Sequence, residues 1–312
     1  MSERVLLDAA ASALGRGVER AARVGGGDIN EAWALELAGG GMAFLKSRAG
    51  APDDEFGAEA AGLRWLAEPG GLPVPEVLAV IEEDGARGLV LEWVEPGRLG
   101  DRGEEELGRG LATIHAAGAE RFDALPPGSP RERLRFGGVE VPVGGPRSQT
   151  SRPGGARSAK RTDSTSAWPE TYARRLAALS LAARDRGAIA PSCERVVEQV
   201  IERLPHLAGP DEPPARVHGD LWSGNVLAGA DGRPWLIDPA AHGAHREVDL
   251  AMLDLFGSVS RRTLAAYEDV RPLAEGRAER VALWQLQPLL VHAILFGGSY
   301  GAAAERAASR YL

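Results

Sequence analysis

The 312-residue sequence predicts an α+β chain of two lobes, a small β-sheet lobe over residues 1–94 and a mostly helical lobe over residues 95–312. Three observations carry that expectation. Short apolar runs between about residues 31 and 94, the one at Trp33 to Leu37 alternating, are punctuated by glycine and proline, as strands are. Apolar positions at helical spacing dominate later stretches such as Leu283 to Phe296. Finally, 44% hydrophobic residues in a chain this long support a substantial core without disulfide or structural metal.

Residues 3–22 carry Val5, Leu6, Ala9, Ala13 and Leu14 in an Ala-rich, helix-compatible pattern. Gly25, Gly26, Gly27 and Asp28 follow, and then Trp33, Leu35 and Leu37 alternate with Ala34 and Glu36, so the glycines lead into a strand. A dinucleotide fingerprint would instead open a helix there and place a glycine where Asn30 stands. A strand-turn-strand glycine loop fits either a flap over nucleotide phosphates or a plain hairpin turn. Met42 to Lys46 reads as the next strand, and Leu45 occupies the position that a Walker loop reserves for glycine. Phe56, Ala60, Leu63 and Leu66 or Ala67 mark a helix containing Glu59, and Leu72-Pro73-Val74-Pro75 breaks it. Val77 to Ile81 resumes strand. Gly88 to Val94 is an apolar strand expected to end at a hinge between lobes, with Pro96-Gly97 turning the chain onward.

Lysine usage singles out one position. Lys+Arg total 36, yet only Lys46 and Lys160 are lysine. The chain writes arginine almost everywhere and still has lysine at position 46, where a compact ammonium suits phosphate oxygens better than a planar fork does.

Residues 218–227 read His-Gly-Asp-Leu-Trp-Ser-Gly-Asn-Val-Leu, followed by a turn at Gly229 to Gly232 and then Trp235-Leu236-Ile237-Asp238-Pro239. Apolar runs on both sides of the turn predict a small hairpin with Asp238 at the exit of its second strand. Phosphoryl transfer needs an oriented hydroxyl, a carboxylate to take its proton and hard oxygen ligands for divalent ions on the triphosphate. The spacing of Asp220, Asn225 and Asp238 resembles the catalytic loop and metal-binding aspartate of protein kinases. That likeness assigns Asp220 as proton acceptor, Asn225 and Asp238 as magnesium ligands and Lys46 with Glu59 as the pair positioning ATP phosphates. Backbone groups of Glu92, Trp93 and Val94 would then meet adenine, and Gly25, Gly26, Gly27 and Asp28 would cover the phosphates.

The chain resembles the fructosamine kinase, or ketosamine-3-kinase, family within the protein-kinase-like fold. The likeness rests on Gly-Gly-Asp-Ile-Asn (26–30), Phe-Leu-Lys (44–46), Leu-Glu-Trp-Val (91–94), the 218–227 run and Ile-Asp-Pro-Ala (237–240). It extends through His-Arg-Glu-Val-Asp-Leu-Ala-Met (245–252), Leu-Phe-Gly (255–257) and the segments over 288–300. The Leu-Trp-Ser-Gly run separates it from aminoglycoside and choline kinases, which usually have His-Pro-Gly there. The resemblance implies MgATP-dependent phosphorylation of the 3-hydroxyl of ketosamines, as small molecules or on glycated lysines of proteins, leading to deglycation. It also implies an acceptor side lined by Trp222, His245, Arg246 and Glu247. His292 is either a pocket wall or a core histidine, and Asp249 is expected to anchor the catalytic loop. An aminoglycoside-phosphotransferase-like kinase and a pseudokinase binding module are the rival readings. The family's glycine-loop cysteine is absent at Asp28, so redox-controlled dimerisation is not expected and a monomer is favoured.

A formal charge of −8 argues against nucleic-acid binding. No run approaches 18 uninterrupted apolar residues, so no membrane span is expected. The start Met1-Ser2-Glu3-Arg4 has no charged-then-apolar leader and Cys193 is the lone cysteine, which together point to the cytoplasm. His242, His245 and Glu247 are the one close cluster of candidate metal ligands, and no zinc site is expected there. Residues 144–167 are rich in Gly, Ser, Arg and Pro with almost no apolar anchor, and are expected to be a flexible insertion.

Overall fold

A computed structural model describes residues 3–25, 30–83, 85–141, 167–257 and 260–312. The expected 144–167 insertion lies outside the described residues except for Ala167, as do Gly26, Gly27 and Asp28 of the glycine run. The amino-terminal part runs α1 (Glu3–Leu14), β1 (Val18–Val24), β2 (Glu31–Leu37), β3 (Met42–Ser47), α2 (Glu55–Ala67), β4 (Val77–Glu83) and β5 (Ala86–Glu92). The five strands form one antiparallel sheet in the order β1-β2-β3-β5-β4.

Strand alternation divides β3 between two faces. Ala43 and Leu45 pack with Leu6, Ala9 and Ala10 of α1, while Phe44 packs with Phe56, Ala60 and Leu63 of α2. Lys46 therefore emerges on the α2 face, paired in register with Ala32 and Leu89. Glu59 lies three residues after Phe56 and four before Leu63, on the face of α2 that turns toward the sheet.

The helix expected over residues 3–22 ends at Leu14. Gly15 takes φ 63, a left-handed stop open to glycine, and residues 18–24 pair with β2 as an edge strand instead. Pairing with a neighbouring strand outweighed the local helix preference of Ala21 and Ala22.

The rest of the chain begins with α3 (Asp101–Ala116), the hairpin β6 (Leu134–Phe136) and β7 (Val139–Val141), α4 (Trp168–Asp185) and α5 (Pro191–Leu207). It continues with β8 (Ala215–Val217), β9 (Val226–Ala228), β10 (Pro234–Leu236), β11 (His242–Ala244), α6 (Glu247–Leu255) and α7 (Arg261–Val270). It closes with α8 (Arg277–Trp284), α9 (Leu286–Phe296) and α10 (Tyr300–Ala308). The helix expected over Leu283 to Phe296 is two helices that meet at Gln285. Pro288, without an N–H to donate back along the helix, supplies a local reason for that break.

The predicted hairpin is β9 with β10. Its turn holds the segment that leaves the sheet: Ala230 N–H donates to Glu95 O at 2.7 Å, and Gly97 N–H to Ala228 O at 2.7 Å. A Cβ on Gly97 would run into the Gly229 carbonyl, so the two backbones approach as only glycine permits. None of the described helices is long and apolar enough to cross a membrane.

Candidate active site

Lys46 is buried, and its ammonium reaches Glu59 Oε2 at 2.6 Å and Asp238 Oδ1 at 2.7 Å. Burial works to lower the lysine's pKa, but the two carboxylates outweigh it and hold the group above its ordinary value. Glu59 is pushed up to about 7, first by burial and further by Asp238, against the pull of Lys46. One ammonium thus faces two carboxylates, one on α2 and one beyond the β10 strand.

Asp238 has φ 55 and precedes a proline, two conditions that disfavour each other for an ordinary residue. Strain of this kind persists only where the surroundings impose it. The preceding residues do so: Ile237 N–H donates to Asn225 O at 3.1 Å, and His218 Nε2–H donates to Ile237 O at 2.9 Å. With Nε2 as donor, His218 Nδ1 accepts from the Asp220 N–H at 3.3 Å. One imidazole ties the backbone of Asp220 to the residue before Asp238.

Asn225 Nδ2 donates to the Asp220 carbonyl at 2.7 Å and lies 3.3 Å from its Oδ2, leaving the Asn225 side-chain carbonyl as an oxygen donor for a cation. Asp220 has its pKa raised by burial; His218 and His292 partly counter this and Asp238 adds to it. Asp249 anchors the loop from beneath, as expected, accepting the N–H of His218 at 2.7 Å and of Gly219 at 2.9 Å. Burial opposes its charge, but His115, at 3.2 Å, together with His218 and the Gly219 N–H holds it below the usual carboxylate range. Gly219 has φ 82, and a Cβ there would strike the Ala240 carbonyl.

Glu92, Trp93 and Val94 are half-buried where β5 runs out. Glu92 N–H already donates to Glu76 O at 2.8 Å, and the Trp93 indole donates to Glu95 Oε2 at 2.9 Å. Trp93 and Val94 therefore follow the last strand pair rather than extend it. Gly25, at the start of the glycine run, is exposed just past β1.

An open recess lies beside Asp220, lined by Gly219, Phe136, His242, Trp284, Gln287 and His292 among others. Trp222 is 39% exposed, and a Cβ on Gly224 would collide with its ring. The indole meets Phe256 edge-on at 5.9 Å, and Phe256 meets His292 at 5.4 Å, so a row of aromatic rings continues the recess outward.

His245, Arg246 and Glu247, expected on the acceptor side, are not brought to the recess. All three are buried and partnered within the protein. Glu247 takes a two-point ion pair from Arg280, at 2.6 and 2.9 Å, and the Trp284 indole N–H at 2.9 Å. Arg246 pairs with Glu212 at 2.6 and 2.8 Å. His245 stacks on Trp284, and burial lowers its pKa. A charged trio next to a catalytic loop reads equally well as ligand or as scaffold in sequence; burial decides for scaffold, because charged side chains leave water only when paired.

Sequence reasoning missed Gln287, Trp284 and Phe136 in the recess wall. A signal existed for one of them: a glutamine inside the apolar run Leu283 to Phe296 is a polar group in a core position.

The sequence matches the family model for fructosamine kinase over residues 6–123 and 156–312. The crystal structure of a "putative fructosamine-3-kinase" from Thermobifida fusca is similar at a TM-score of 0.83 and 40% identity, covering 99% of this chain and 100% of that one. The "Probable ketoamine kinase" of Thermus thermophilus is 34% identical over 285 residues, 91% of each chain. Its counterpart in Synechocystis is 33% identical over 285 residues, 91% of this chain and 87% of that protein. A choline kinase from Streptococcus pneumoniae, at 15% identity and a TM-score of 0.60, covers 98% of this chain and 97% of that one and shares the fold alone. The expected two-lobed, protein-kinase-like α+β fold is borne out.

Proposed function

Because this chain belongs to the fructosamine kinase family and is a phosphotransferase with an alcohol acceptor, we propose that it uses ATP to phosphorylate the 3-hydroxyl of ketosamines. The observation that carries the reading is the convergence of Lys46, Glu59 and Asp238 from separate elements, next to Asp220 and its recess.

In this reading Asp220 accepts the proton of the acceptor hydroxyl as its oxygen bonds to the γ-phosphorus and the bond to the ADP oxygen breaks. Lys46, positioned by Glu59, contacts the α- and β-phosphates. The backbone of Glu92 to Val94 receives adenine, and Gly25 with the adjoining Gly26, Gly27 and Asp28 covers the phosphates. The side-chain oxygens of Asn225 and Asp238 suit a hard divalent ion such as Mg²⁺, and the uncompensated carboxylate beside Lys46 favours a cation there. Bound Mg²⁺ would neutralise triphosphate charge. Trp222 and His292 contact the acceptor, the indole offering its face to the cationic amine. The 3-phosphorylated adduct then breaks down and frees the amine, which is deglycation. Free adducts and glycated lysines are both candidate acceptors, and a monomeric, cytoplasmic enzyme is the working picture.

An ATP-consumption assay across ribulosamine, erythrulosamine and fructosamine adducts tests this, with an aminoglycoside and choline as rival acceptors. Turnover of a ketosamine supports the reading. Turnover of the aminoglycoside or choline alone, or ATP binding with no acceptor turned over, overturns it in favour of the other kinase class or a pseudokinase.

A further inference from the structure

Gln287, near the start of α9, is 8% exposed and lines the recess shared with Asp220 and Gly219. Its carboxamide has one orientation open to it. Arg175, wholly buried, carries only donors, and its Nη1 lies 3.1 Å from His242 Nε2 and 3.2 Å from Gln287 Oε1. The two Nη1 hydrogens serve one acceptor each. Arg175 Nε and Nη2 are both taken by the Asp123 carboxylate. His242 can accept because its Nδ1–H donates to Ala240 O at 2.7 Å. Burial, and secondarily Arg175, drives the pKa of His242 down to about 3, so the ring stays neutral.

With Oε1 held by a group that cannot accept, the Gln287 amide nitrogen is the end left for the recess. Among the described residues Nε2 has no hydrogen-bond partner. It is not among the buried atoms left without a partner, so this free donor is open to the recess and to whatever enters it.

We propose that Gln287 is a specificity-determining residue that donates from Nε2 to a sugar oxygen of the acceptor. This rests on the ketosamine reading and adds a direction to it. The inner wall is a neutral amide donor whose oxygen Arg175 already holds, which suits a hydroxyl or carbonyl oxygen and offers an ammonium no acceptor. The polyhydroxyl end of the acceptor therefore enters toward Gln287, and its amine end stays toward His292, Trp222 and Phe256, where aromatic faces suit a cation.

Gln287→Met keeps the side chain's length and removes the amide. The acceptor KM should rise roughly tenfold, the size of one hydrogen bond in a recess, and by much more than the KM for ATP. Across singly deoxygenated ketosamines, loss of one particular oxygen should raise KM in the wild type and not in Gln287→Met. Gln287→Asn guards against a folding defect of the Met variant: it keeps an amide but is too short to satisfy Arg175 and the acceptor together, so acceptor KM should rise in it too. An unchanged acceptor KM in whichever variants fold, or an equal rise for ATP, overturns the role of Gln287 alone. A wild type that turns over no ketosamine overturns this inference together with the functional reading.

Discussion

Lys46 Nζ lies 2.7 Å from Asp238 Oδ1, although 192 residues separate the two in the chain. The lysine comes from the sheet and the aspartate from the turn after β10, so the contact fastens β3 to the β9–β10 hairpin. Because Glu59 claims the same ammonium, the Asp238 carboxylate is only partly neutralised and is free to share itself with a divalent ion.

Replacing Asp238 by asparagine should preserve the fold, since asparagine tolerates the left-handed conformation that φ 55 demands. Magnesium-dependent nucleotide binding should weaken by roughly tenfold or more with the loss of a charged oxygen ligand. Titration of a fluorescent ATP analogue with and without Mg²⁺ measures this. Equal affinity in the two proteins would remove Asp238 from the metal site.

Asp220→Asn should lower turnover by roughly 10²–10⁴, the usual loss for a general base, with nucleotide binding nearly intact. It should also be the more stable protein near neutral pH. Burial raises the Asp220 pKa in the folded state above its ordinary 3.8, so the fold binds a proton that the unfolded chain has released, and ionisation penalises the native state as pH climbs. The gap in unfolding free energy between variant and wild type should open as pH rises from about 4 toward neutrality and close again in acid. Denaturant melts at several pH values decide the matter; a wild type as stable as the variant at pH 7 would contradict it.

Glu247→Gln should destabilise by about 3–5 kcal/mol, because Arg280 would be left buried with no countercharge. In the protein that still folds, acceptor KM should change little. A stable variant with a large rise in acceptor KM would return Glu247 to the acceptor side.

Acidification should erode stability through His242. The His242 pKa is lowered from 6.5 to about 3 in the fold, so the unfolded chain takes up a proton below about pH 6.5 that the native protein refuses. Stability contributed by the neutral ring is full above pH 6.5 and is lost as pH falls toward 3. Between pH 7 and 5, unfolding free energy should drop for the wild type more steeply than for His242→Gln, which cannot titrate. Parallel slopes would show that another group is responsible.

Trp222→Ala should raise the acceptor KM more than the KM for ATP, since the indole is exposed at the outer end of the recess. Equal effects on both substrates would make it a structural side chain.

The sequence by itself determined which residues were capable of the chemistry. Asp220, Asn225 and Asp238 stood out because a proton acceptor and hard oxygen ligands at that spacing fit one kind of reaction, and Lys46 because lysine is so scarce in this chain. Period-two alternation marked β2, and short apolar runs bounded by glycine and proline marked β3, β4 and β5. Tertiary structure alone decided what each polar residue faces. Residues 18–24 carry no local strand signal strong enough to stop a helix, and only pairing with β2 makes them an edge strand. Likewise His245, Arg246 and Glu247 are adjacent charges in sequence, and only the approach of Glu212 and Arg280 from 34 and 33 residues away shows that they are buried pairs. Gln287 is the converse: apolar neighbours mark it as core, and the buried Arg175, reached across 112 residues, turns its amide toward the recess. Local pattern reports the periodicity of burial, whereas the partner of a buried polar group is a long-range contact that no window of sequence contains.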